Sequence, residues 1–170
     1  MADDTPAGSE NNGAADAQPA PRLQILTQYV RDLSFENIAM QKSLNVEGTP
    51  ETRVQVNVEP VQRAEDRFEV ALKLKVDSKV KESEVFILEL DYAGLFTIQN
   101  VPKEQMHPLL MIECPRLIFP YVRRIVGDLT RDGGYPPLNI DQIDFLALYR
   151  ANVAQMQKAQ AEKESAAGQA

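Results

Sequence analysis

The chain has 170 residues with 18 basic and 25 acidic side chains, a formal charge of −7, one cysteine, one histidine and no tryptophan. That length fits one modest domain, and the acidic balance lacks the clustered Lys and Arg that duplex nucleic acid or anionic lipid requires. One cysteine with one histidine makes neither an intrachain disulfide nor a four-ligand zinc site, so a reducing compartment is expected and no nucleic acid partner.

Residues 1–21 (MADDTPAGSENNGAADAQPAP) are small, polar, acidic or Pro/Gly and hold four acids with no base. They bury too little to offset the entropy of ordering, so a disordered acidic tail is expected. They also lack the basic start and apolar run of a signal peptide, and no uncharged apolar stretch approaches the ~20 residues that span a bilayer. A cytoplasmic chain without membrane insertion follows. The domain is expected over 22–157 and a flexible tail over 158–170 (KAQAEKESAAGQA), which has no apolar stripe.

Within the body the first half alternates with period two. Residues 22–33 put Leu23, Ile25, Thr27 and Tyr29 against Leu26 and Val30. In 53–59 Val54, Val56 and Val58 alternate with polar residues, and in 67–76 Phe68, Val70, Leu72, Leu74 and Val76 share one side. In 84–92, Phe86, Leu88, Leu90 and Tyr92 form one face while Val85, Ile87, Glu89 and Asp91 form the other. The polar stretch 77–84 predicts a hairpin closed by a mobile loop rather than a two-residue turn.

After Gly94 the period changes. Asn100 is positioned to cap a helix with Pro102 in its first turn, and Pro108 and Pro115 limit that helix to a short or kinked one. A new helix is predicted from Pro115, with Leu117, Ile118, Tyr121, Val122, Ile125, Val126 and Leu129 as its apolar stripe and a bend at Pro120. The turn-rich run 131–139 precedes a capping box, Asn139 with Gln142, opening a last helix whose stripe is Phe145, Leu148, Tyr149, Val153 and Met156. Strands first and helices last predict an α+β fold built on an antiparallel sheet. A long sheet with so few covering helices leaves edges and faces open, which favours a homo-oligomer.

Catalysis finds little support. His107 stands without a nucleophile motif, Cys114 is expected as a buried space-filling thiol, and Gly133-Gly134 follow a helix and stop it rather than cradle a phosphate. Glu82 and Glu84 are expected in a solvated loop, and no metal-ligand spacing appears. The informative feature is the face Val85, Ile87, Glu89 and Asp91, where carboxylates interleaved with apolar groups suit a basic or amphipathic partner. The opposite face, Phe86, Leu88, Leu90 and Tyr92, reads as core or groove lining.

In order along the chain, YVRDLSFEN, VFILELDYAGLFTI, CPRLIFPYVRRIV and GYPPLNIDQIDFLALY together resemble the bacterial export chaperone SecB family over about 23–157. The resemblance implies a four-stranded antiparallel sheet followed by helices, assembled as a dimer of dimers. It implies no enzyme and no cofactor, but an ATP-independent holdase that keeps unfolded preproteins translocation-competent and delivers them to the motor ATPase SecA. It assigns Asp32, Glu36, Ile87 and Glu89 to SecA docking, and Phe86, Leu88, Leu90 and Tyr92 to client-groove or dimer contacts. Many members carry a tryptophan just ahead of the second strand, where this chain has Pro50, and the family's glycine pair after the fourth strand appears as Ala93-Gly94. The rival readings are a chaperone of this kind dedicated to a toxin–antitoxin pair and a carrier of small apolar ligands.

Overall fold

A computed structural model describes residues 19–44 and 47–167, the side chains of 162–167 excepted. Four strands, β1 (Arg22–Glu36), β2 (Glu51–Gln62), β3 (Arg67–Val80) and β4 (Ser83–Gln99), form one antiparallel sheet in the order β1-β4-β3-β2. A single turn, α1 (Ile38–Gln41), starts the crossover from β1 to β2. After the sheet come α2 (Lys103–Pro108), a π-helical turn (Leu109–Glu113), α3 (Cys114–Asp132) and α4 (Phe145–Ala167). The α+β expectation holds. Most of the expected leading tail, residues 1–18, lies outside the described residues, as do 168–170 of the trailing one, whereas α4 runs on through Ala167.

Period-two alternation places one apolar face of the sheet under α3. Leu72, Leu74, Leu88, Leu90 and Phe96 meet Ile118, Phe119, Val122 and Val126, all buried. Each large side chain so removed from water contributes roughly 1.5–3 kcal/mol, which makes this layer the main source of stability. Gly94 lies where the helix comes closest: a Cβ there would stand 2.7 Å from Phe96 Cε2 and 3.0 Å from Ile118 Cγ2. It therefore lies within β4 rather than after it, and β4 continues its alternation through Phe96 and Ile98.

The hairpin between β3 and β4 also differs from expectation. Val80 pairs with Ser83, so Lys81 and Glu82 alone make the turn, with Lys81 at φ 54, and Glu84 belongs to β4. The register shifts between Ser78 and Lys79, leaving Val85 as the extra residue. A bulge of this kind turns two successive side chains to one side, and Val85 joins the core beside Phe86 instead of the mixed face.

In β1 the register shifts twice, at Leu26 and at Arg31, so Leu23 and Ile25 do not share a face with Thr27 and Tyr29.

Asn100 does not cap α2. Its φ is 59 and its side chain donates to the Ala20 carbonyl. Helical geometry runs unbroken from α2 into α3, because the π turn lies just ahead of Pro115, whose ring nitrogen offers no N–H to the preceding turn. At the far end Gly134 N–H reaches the Arg131 carbonyl and Tyr135 N–H the Thr130 carbonyl, a Schellman closure with Gly134 at φ 87. Buried Thr130 then accepts from Leu138 N–H at 2.9 Å and fixes the following loop. The last helix starts later than expected: Asp144 Oδ1 accepts from Ala147 N–H, so Asp144 rather than Asn139 caps it. Its stripe is also shorter than expected, ending at Val153, with Met156 exposed.

Candidate functional site

Residues paired directly across strands share a face, so the register alone assembles the outer surface of the sheet. Glu36 lies opposite Ile87, which faces Asp77; Ser34 opposite Glu89, which faces Lys75; and Asp32 opposite Asp91, which faces Lys73. Asp32, Glu36, Ile87 and Glu89 thus come together on one face, from β1 and β4, while Val85 leaves it for the core. Asp32, Glu89 and Asp91 line an open depression of ≈ 480 Å³ with Lys73, Lys75, Gln55 and Asn57.

Lysines of β3 temper the acids. Lys75 Nζ lies 2.8 Å from Glu89 Oε1, Lys73 Nζ 2.7 Å from Glu59 and Lys79 Nζ 3.4 Å from Glu84. The Glu89 hydrogen bond and charge raise the Lys75 pKa. These pairs are well exposed, so each contributes little to stability. They set the charge pattern rather than hold the fold.

Beyond Asp91 the same face carries a buried carboxylate that sequence reasoning missed. Glu69, on β3, accepts from Tyr29 Oη at 2.8 Å, Arg31 Nη1 at 3.0 Å and Arg63 Nη2 at 3.0 Å. Arg63, then Tyr29, then the arginine charges hold its carboxyl below the ordinary range against the cost of burial, while its bond to Tyr29 pushes that phenol up. The Tyr29 and Arg31 side chains reach β3 across β4 at Ala93, whose small side chain is fully buried. A lone Glu in an alternating strand gives no hint of this; the readable signal was the break in the alternation of β1.

The row Phe86, Leu88, Leu90 and Tyr92 lies on the inner face and is buried, not open. Phe86 packs between Phe35 (centroids 5.5 Å) and Tyr135 (5.2 Å), and Tyr92 stacks on Tyr121 at 6.4 Å. Open apolar surface lies elsewhere. A depression of ≈ 510 Å³ runs between β2 (Val54, Val56) and the segment carrying Leu138, Ile140, Ile143 and Leu148. A second exposed strip joins Val30 and Leu33 of β1 to Leu117 and Tyr121 of α3.

His107 is exposed, with Nδ1 3.3 Å from Tyr149 Oη. Cys114 is fully buried, and burial pushes its thiol up to about 12. Among the described residues no group of three or more His, Cys, Asp or Glu could hold a metal ion, and no helix is long and apolar enough to cross a membrane.

Comparison with known proteins follows the same lines. The family model described as "Preprotein translocase subunit SecB" matches residues 16–156. The protein-export protein SecB of Dinoroseobacter shibae is 57% identical over 164 residues, covering 94% of this chain and 95% of its own. That of Roseobacter denitrificans is 51% identical over 166 residues, covering 96% and 98%. Among solved structures, a SecB-like chaperone of Mycobacterium tuberculosis in complex with a peptide from an antitoxin superposes with a TM-score of 0.55 at 18% identity, covering 72% of this chain and 91% of that one. That last likeness bears on the fold.

Proposed function

The chain belongs to the SecB family of preprotein translocase subunits, and we propose that it works as an ATP-independent holdase that keeps unfolded preproteins translocation-competent in the cytoplasm and passes them to SecA. The observation that carries this reading is the separation of two chemistries on opposite faces of one sheet. The acidic and apolar set Asp32, Glu36, Ile87 and Glu89 faces outward, where it suits a basic or amphipathic docking surface on SecA. The apolar depression between β2 and Leu138–Leu148 opens on the other side, so a client there leaves the docking face free.

Phe86, Leu88, Leu90 and Tyr92 are buried within the protomer, which supports a reading in which the open depression offers the first client contacts. No chemical step is required. Each buried CH₂ contributes only ~0.8 kcal/mol, so capture depends on many weak contacts along one unfolded chain. Binding that state alone withdraws it from folding and aggregation. Assembly as a dimer of dimers supplies further copies of the depression, and the exposed strip Val30, Leu33, Leu117 and Tyr121 is a surface that such assembly covers.

Native mass spectrometry tests the reading, with the protein alone, with a reduced unfolded preprotein and with the same polypeptide folded. A tetramer that captures only the unfolded form is expected. Capture of neither form, or of both alike, overturns the holdase. Competition of that preprotein against an antitoxin separates a general chaperone, which binds the two comparably, from a dedicated one.

A further inference from the structure

The bulge in β1 decides which side chains face the docking partner. Tyr29 lies opposite Ala93 and Asp32 opposite Asp91, so Arg31 is the extra residue, and both Arg31 and Asp32 project from the outer face. Removing a bulge of this kind restores strict alternation, and a one-residue slip sends a whole strand segment to the other face. Asp32, Ser34 and Glu36 would then turn toward the core. The bulge also sets Asp32 directly across from Asp91, a like-charge pair that costs free energy unless a cation relieves it.

Arg31 supplies that cation and is itself held. Its Nε lies 3.7 Å from Asp91 Oδ2 while its Nη1 donates to Glu69 Oε1 at 3.0 Å. The Glu69 side chain is 8% exposed, so it has little surface to offer a partner. Resting on the docking role proposed above for Asp32, we propose that Glu69 is the positioning residue of the docking face: by clasping Arg31 it fixes the β1 bulge and presents Asp32 outward. Tyr29, bonded to the same carboxylate on the other side of the bulge, anchors the strand immediately before it.

Charge and position predict opposite signs for one variant, which makes the clasp testable. Arg31→Gln removes a positive charge from an acidic face and would strengthen a basic partner's docking by electrostatics alone. Loss of the clasp would weaken it. Calorimetry with SecA, together with capture of an unfolded preprotein and hydrogen exchange of the amides of 31–36, is measured on the full-length protein and on Arg31→Gln, Glu69→Ala and Asp32→Ala.

Both clasp variants are expected to weaken SecA at least fivefold, leave client capture unchanged and speed exchange in 31–36 about tenfold. Glu69→Ala combined with Asp32→Ala is expected to lose less than the sum of the two single losses, since the clasp acts in part through that residue. Wild-type or tighter binding by Arg31→Gln overturns the proposal. So does simple addition of the two losses. Should Glu69→Ala fail to fold, Arg31→Gln, altered at a side chain that is 35% exposed, carries the test. If Asp32→Ala binds SecA normally, the docking role is what fails; the exchange data then decide the clasp alone, with unchanged exchange overturning it.

Discussion

Cys114 and Gly133 show how much a single side chain can depend on its surroundings. With burial holding the Cys114 thiol near 12, only about one molecule in 10⁴ carries the thiolate at pH 8, against roughly one in four for a free cysteine. Thiol reagents are therefore expected to react at least a hundredfold more slowly with the native protein than with the denatured one, as an absorbance time course would record. At Gly133 a Cβ would stand 2.6 Å from Phe35 Cζ, and that ring is itself packed on Phe86. Gly133→Ala is expected to destabilise by about 1–3 kcal/mol, because the ring must shift off Phe86 to make room. Its neighbour Gly134, at φ 87, should lose about 1–2 kcal/mol on the same change through backbone conformation instead. Thermal melts of the two variants check both values.

Among the elements, β4 buries one face and exposes the other, the one proposed above for docking. Phe86→Ala removes a buried ring held between Phe35 and Tyr135 and should cost about 3–5 kcal/mol in denaturant unfolding. Glu89→Lys, on the exposed face, should leave the melt nearly unchanged yet, on the proposed docking role, weaken SecA about tenfold, since it reverses the charge there and sets a second lysine against Lys75. Calorimetry that finds unaltered affinity removes Glu89 from the docking face. The alternation of β2, β3 and β4 was legible because one buried face forces period two. The places where reading failed were bulges and small residues. Val85 was placed on the wrong face because a bulge is set by pairing across strands, and Gly94 reads as following the fourth strand because its reason is the distant Ile118. The start of α4 lies at Asp144 rather than Asn139, because Asp144 Oδ1 takes the Ala147 N–H. Asp32, Glu36, Ile87 and Glu89 were placed by resemblance, and the register shows that they share a face. Glu69 was invisible, since nothing local marks a carboxylate whose partners come from β1 and from the loop after β2.

Across the whole molecule, the exposed strip of Val30 and Leu33 with Leu117 and Tyr121 lies beside the free edge of β1, where apolar side chains and unpaired backbone groups coincide. On the proposed assembly through this strip, Tyr121→Glu is expected to shift the protein toward smaller species at micromolar concentration without lowering its helix content, as native mass spectrometry and circular dichroism would show. An unchanged mass distribution would remove this strip as an assembly surface. The strand order β1-β4-β3-β2 also has a consequence in time. The meander β2–β3–β4 closes through short connections, whereas β1 must bring Arg22 back to Gln99 across the rest of the sheet's chain. Long-range closure of this sort is entropically slow, so the meander should assemble first and the edge strand should zip on late. During refolding the outward acids of β1 would be the last part of the sheet to arrive, and a freshly made chain would gain its apolar surfaces before its edge row of carboxylates.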